Sequence, residues 1–174
     1  MRSSDTDDKL NGTTFIDTTI TRFTRAEWDL LVRLPGMVVV AATSEAADDS
    51  RQMIEALAGL DAVAAGRGWA NSLVRQVVGT IYAEPEMDSA ATRADHSPID
   101  PLTGVATVLA TCRQAAVILA LRATAAERIA YERWLASIAF RVSDASAGVA
   151  GLGTNTTHAV TERRFVAELA AAFR

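Results

Sequence analysis

At 174 residues with a hydrophobic fraction of 49%, the chain can fold around one core without disulfide or metal staples, which excludes a wholly disordered protein. A formal net charge of -4, with no basic run longer than Arg163-Arg164, argues against a nucleic-acid-binding face. The single cysteine, Cys112, excludes an intrachain disulfide and a cysteine-built zinc site.

Abundant alanine and only four prolines lean the composition towards helix. Residues 1–12 are polar and acidic where a secretory leader would be apolar. The longest uninterrupted apolar run, residues 115–121, is too short to cross a bilayer. The expectation is a cytoplasmic protein without a membrane span.

In chain order, residues 1–22 have no helical period and read as a flexible N-terminal tail. Thr24-Arg25-Ala26-Glu27 is a capping box that opens a short helix with Trp28, Leu31 and Val32 on one face. Leu34-Pro35-Gly36 is expected to end that helix, and Pro35 to open a second over residues 37–46. Asp48-Asp49-Ser50 caps a third helix that runs to about residue 65, with Met53, Ile54, Leu57, Leu60 and Val63 apolar. Gly66-Arg67-Gly68 stops it. A fourth helix is predicted over residues 69–83, where Trp69, Leu73, Val77 and Ile81 repeat at i, i+4, i+8 and i+12.

Residues 84–101 hold three of the prolines and read as a flexible linker between two helical halves that share one core. The next helix, over residues 103–122, carries Val105, Val108, Leu109, Val117, Ile118, Leu119 and Leu121, and is expected at the bundle centre because it is apolar on most sides. A second capping box, Thr124-Ala125-Ala126-Glu127, opens a long helix to about residue 146 with Tyr131, Trp134, Leu135, Ile138 and Val142 facing inward. A glycine-rich loop over residues 148–155 leads to a last helix over residues 160–173 that buries Phe165, Val166, Leu169 and Phe173. Residues 37–64 and 114–142 share the order apolar helix, cap, amphipathic helix, a weak internal echo. The fold class is therefore all-α: one single-domain bundle of about six to seven helices over residues 23–174, with two similar helical halves.

Few residues of the chain suit catalysis or ligation. His96 and His158 have no nucleophile or orienting carboxylate at a telling spacing. Cys112 lies in an apolar helix and reads as a small core residue. The tryptophans at 28, 69 and 134 read as core. Gly148, Gly151 and Gly153 suggest a phosphate cradle, but a helix precedes them and no Lys-Ser/Thr follows. Asp48, Asp49 and Glu55 are the candidate metal ligands, because hard cations want several oxygens. Capping and the helix dipole explain the aspartates equally well. No cofactor is implied. An enzyme would have to assemble its site from scattered residues such as Arg113, Tyr131 and His158.

The segment Tyr131-Glu132-Arg133-Trp134-Leu135-Ala136-Ser137-Ile138-Ala139-Phe140-Arg141-Val142, followed by the glycine loop and Val160-Thr161-Glu162, resembles bacterial helical proteins with a W-L-x-S-I-A-x-R-V core and a G-x-G loop. Those proteins are distantly similar to tellurite-resistance TerB-like domains, which are all-helical with duplicated halves. In that family an Asp-Gly pair precedes a glutamate on the next helix. Asp48 and Glu55 stand at matching positions here, and Asp49 stands where the family has glycine. The resemblance implies an all-helical fold and a stress-linked metal- or small-molecule-binding role. The residues themselves imply a non-enzymatic interaction module that binds a protein partner or self-associates.

Overall fold

The computed structural model describes residues 21–43, 49–83, 101–149 and 156–174. Among them are six α-helices: α1 (Arg25–Thr43), α2 (Asp49–Ala65), α3 (Ser72–Ile81), α4 (Pro101–Arg122), α5 (Ala125–Val149) and α6 (Thr156–Ala172), with a 3-10 turn at Gly66–Gly68 after α2. One hydrophobic core runs through both halves of the chain, from Phe23 and Leu31 to Leu169 and Phe173. The expected all-α single-domain bundle is the fold.

Both capping boxes form. The Thr24 amide donates to Glu27 Oε2 at 2.7 Å, and the Glu27 amide to Thr24 Oγ1 at 3.3 Å. At the start of α5 the Thr124 amide donates to Glu127 Oε2 at 2.8 Å, and the Glu127 amide to Thr124 Oγ1 at 3.2 Å. Each satisfies amides that a helix start leaves orphaned. The boxes are also cross-linked. Arg22 grips Glu127 through both terminal nitrogens at 3.1 and 2.8 Å, and Arg122 Nε lies 3.5 Å from Glu27 Oε1.

The same Arg-x-Thr-x-Ala-Glu pattern therefore occurs at Arg22 to Glu27 and at Arg122 to Glu127, and each glutamate pairs with the arginine of the other copy. Burial follows the same register: Leu31, Leu34, Pro35, Val38 and Val39 in α1 match Tyr131, Trp134, Leu135, Ile138 and Ala139 in α5, all buried. This correspondence between α1 and α5 is closer than the echo between residues 37–64 and 114–142.

The expected break at Pro35 does not occur. The chain stays helical through it, merging two predicted helices into α1. Proline removes the amide that would bond the carbonyl four residues earlier, which is Leu31. The Tyr131 hydroxyl donates to that carbonyl at 2.7 Å instead. A tertiary contact thus supplies the donor that the sequence lacks.

The helix expected at the bundle centre is also different. Val117 and Leu121 of α4 are 60% and 76% exposed, whereas Tyr131, Trp134, Leu135, Ile138 and Val142 of α5 are fully buried. The large apolar residues of α4 lie on more than one face, and only the side of Val108, Cys112, Ala115 and Leu119 points inward. α5 packs against every other helix because its bulk sits on one face, as its pattern predicts.

Boundaries shift elsewhere for local reasons. Asn71 caps α3 by accepting the Leu73 amide at 3.0 Å, so that helix starts after Trp69, which remains extended and half-buried. Arg75 Nη1 ties this joint by donating to the Trp69 and Ala70 carbonyls, each at 2.8 Å. Gly148 and Val149 continue α5, and α6 begins at Thr156, earlier than residue 160. Residues 1–20, most of the expected tail, and residues 84–100 of the expected linker lie outside the described residues, as do residues 150–155 of the glycine loop. Arg22 belongs to the body through its grip on Glu127.

Candidate functional site

α2 is packed with its large side chains outward. Met53, Ile54, Leu57 and Leu60 are 62%, 41%, 56% and 54% exposed. The residues it buries are Glu55, Gly59, Ala62 and Val63. Of the predicted apolar residues on this helix only Val63 enters the core, and the remainder form an outer stripe.

The reason is a close helix crossing. A Cβ on Gly59 would stand 2.6 Å from Val39 Cγ1 and 3.0 Å from Val142 Cγ2, so only glycine lets α2 lie against α1 and α5 at once. One turn of chain beyond Ala62, a Cβ on Gly66 would meet Val78 at 2.6 Å and Trp134 Nε1 at 2.8 Å. Trp134 Nε1 donates to the Ala62 carbonyl at 3.4 Å, in the last turn of α2. At the crossing itself a helix seated this closely has room only for glycine, and Ala62 and Val63 follow it inward. Its leucines and methionine are left on the opposite side.

With about 3.6 residues per turn, Met53, Leu57, Leu60 and Ala64 line one seam at alternating spacings of four and three, the spacing of a coiled-coil contact face. No charged side chain interrupts these four positions. Together with Ile54 they expose on the order of 400 Å² of apolar surface, within the ~300–600 Å² of the largest patch on a typical monomer. Asp49 is exposed in the first turn of α2, and Arg67 is exposed in the 3-10 turn beyond its end. The Arg67 guanidinium lies over the Tyr82 ring, 4.5 Å from its centroid.

The candidate metal ligands separate. Asp48 lies outside the described residues. Asp49 is exposed in the first turn of α2, and Glu55 is buried on the inner side, its Oε1 3.1 Å from Arg51 Nε. Asp49 and Glu55 thus face different surroundings and share no common centre. No cluster of three or more His, Cys, Asp or Glu side chains suited to a metal occurs among the described residues.

Cys112 is fully buried, and desolvation pushes its thiol up to about 12, against a smaller opposing effect of Arg113. A thiol so placed is a packing group. Tyr131 is fully buried, its hydroxyl engaged by Leu31, while Arg113 is exposed, so these two do not share a site. Trp134 and Trp28 are core residues, and Trp69 is partly buried against the core. His96 lies outside the described residues, and His158 falls within α6.

Sequence reading marked the apolar residues of α2 but not their direction. Gly59 was the available signal, because a glycine in mid-helix marks a close approach on its own side. Comparison with family models, with curated proteins and with solved structures finds no match to this chain.

Proposed function

We propose that the chain is a non-enzymatic, cytoplasmic helical interaction module that docks another protein molecule, a partner or a second copy, on the outer face of α2. The observation that carries this reading is the reversal on that helix: Met53, Leu57 and Leu60 face solvent while Gly59 and Ala62 face the core. Burying a leucine or methionine stabilises by about 1.5–3 kcal/mol, so leaving three of them in one exposed seam forgoes burial that a partner helix would recover. Helix-in-groove and helix-on-helix recognition use such i, i+4, i+7 anchors.

Net acidity supports a partner other than nucleic acid. Cys112 is free, which asks nothing of an oxidising compartment. Within α4, Gly104–Arg122 is long and apolar enough by composition to cross a membrane. Arg113 lies midway along it and is exposed, and a charge at a bilayer centre is costly. We therefore read α4 as a bundle helix. A TerB-like relationship agrees with the all-helical fold and is proposed at that level alone.

The test is paired affinity capture from native cells, with the wild-type chain and a Leu57→Glu/Leu60→Glu chain as baits and mass spectrometry as readout. The reading expects proteins retained by the first and lost from the second, with both baits equally helical by circular dichroism. Identical sets from the two baits would refute a docking role for this face.

A further inference from the structure

We infer that the entry of the chain into α1 is a strap that holds the first turn of α5 closed, with Phe23 as the residue that positions Arg22 on Glu127. The two Arg-x-Thr-x-Ala-Glu copies share their capping residues and differ just before each capping threonine, where the first has Phe23 and the second Ala123. That difference decides which arginine grips.

In the first copy Phe23 is buried, and its ring centroid lies 5.9 Å from that of Trp28. A residue before the cap packed against the fourth helical position is a hydrophobic staple, which fixes the angle at which the chain enters a helix. The same ring carries Arg22, whose guanidinium carbon lies 5.7 Å from the Phe23 centroid. Arg22 therefore reaches Glu127 from a fixed platform, and it bonds both carboxylate oxygens. The Glu127 side chain is 11% exposed, so water screens this pair weakly.

The second copy has neither ring. Ala123 and Arg128 stand where the first has Phe23 and Trp28. Arg122 meets Glu27 through Nε at 3.5 Å with its side chain 45% exposed, and such surface pairs contribute little. The two crossed contacts are thus unequal: the entry to α1 secures α5, and the end of α4 does little for α1. Beyond the first turn of α5, Tyr131, Trp134 and Leu135 are fully buried. Release of the strap therefore opens that turn and leaves the bundle folded, a local opening at the low-stability end of the structure.

Native-state hydrogen exchange of the full chain reads this at the Thr124, Glu127 and Arg128 amides, which donate to Glu127 Oε2, Thr124 Oγ1 and the Thr124 carbonyl. Arg22→Ala is expected to speed exchange at these amides about tenfold or more, because bonds to a charged group are lost, while the amides of residues 134–138 keep their rates. Phe23→Leu keeps an apolar side chain and removes the ring. It is expected to speed the same three amides, and to add nothing in an Arg22→Ala background, because Phe23 acts through Arg22. Arg122→Ala is expected to change the Thr24 and Glu27 amides less than about fivefold.

Unchanged exchange at the three amides in Arg22→Ala overturns the strap. So does an acceleration shared equally by residues 134–138, which is a loss of the whole bundle's stability. Effects of Phe23→Leu and Arg22→Ala that add in the double variant overturn Phe23 as the positioning residue. An effect of Arg122→Ala on α1 as large as that of Arg22→Ala on α5 overturns the inequality of the two contacts.

Discussion

The bond between Tyr131 and α1 makes a specific claim about a proline inside a helix. Leu31 would accept the amide of residue 35, and Pro35 has none. The Tyr131 hydroxyl fills the position at 2.7 Å, and the side chain is fully buried. Tyr131→Phe keeps the ring, which packs edge-on against Trp134 at 5.8 Å and tilted against Phe173 at 6.4 Å, and removes the oxygen alone. A buried carbonyl left without a donor costs about 1–3 kcal/mol, so the substitution is expected to destabilise by that amount. The same substitution made in a Pro35→Ala background should cost much less, because the alanine amide restores the bond within α1. Urea unfolding of the four proteins closes a double-mutant cycle, and the void left by the proline ring cancels in it. The expected coupling is about 1–2 kcal/mol. Equal costs of Tyr131→Phe in both backgrounds, within about 0.5 kcal/mol, would refute the substitution of tyrosine for the missing amide.

Four further outcomes follow from the packing. Glu127 is held at about 2, first by its bonds from Arg22 and then by the Thr124 amide and hydroxyl, against a partial opposing effect of burial. Its folded value is depressed, so its contribution is full above the unfolded value near 4.5 and fades as pH falls towards about 2. Thermal melts between those limits should show that loss, and Arg22→Ala should flatten it. Gly36→Ala, where an added Cβ meets nothing within 4 Å, should stabilise α1 by about 0.5–1 kcal/mol. Gly59→Ala, which drives a Cβ into Val39, should destabilise by about 1–3 kcal/mol in the same denaturation assay. Cys112 should resist a thiol reagent at pH 8 in the native protein and react on unfolding, since burial keeps it protonated and covered.

Local chemistry made much of this bundle legible. Both capping boxes, the inner face of α5 and the stop at Gly66 are consequences of residues within a few positions of one another, and a helix start or an apolar stripe is a short-range property. The failures lie where a distant residue decided. Pro35 ends a helix unless something replaces its amide, and Tyr131 is brought to that carbonyl only by the docking of α5 on α1. Periodicity identified the apolar side chains of α2 and α4 but not which of them would be covered. On α2 that choice went to the fit at Gly59, where α1, α2 and α5 converge. The acidic candidates show the same division. Sequence placed Asp49 and Glu55 near one another along the chain, and the helix then turned Asp49 to solvent and Glu55 inward beside Arg51. Sequence by itself determined most of the helices and the two capping boxes, because those bonds close over a few residues. The tertiary structure alone decided which faces meet, because close packing depends on the volume available at each crossing.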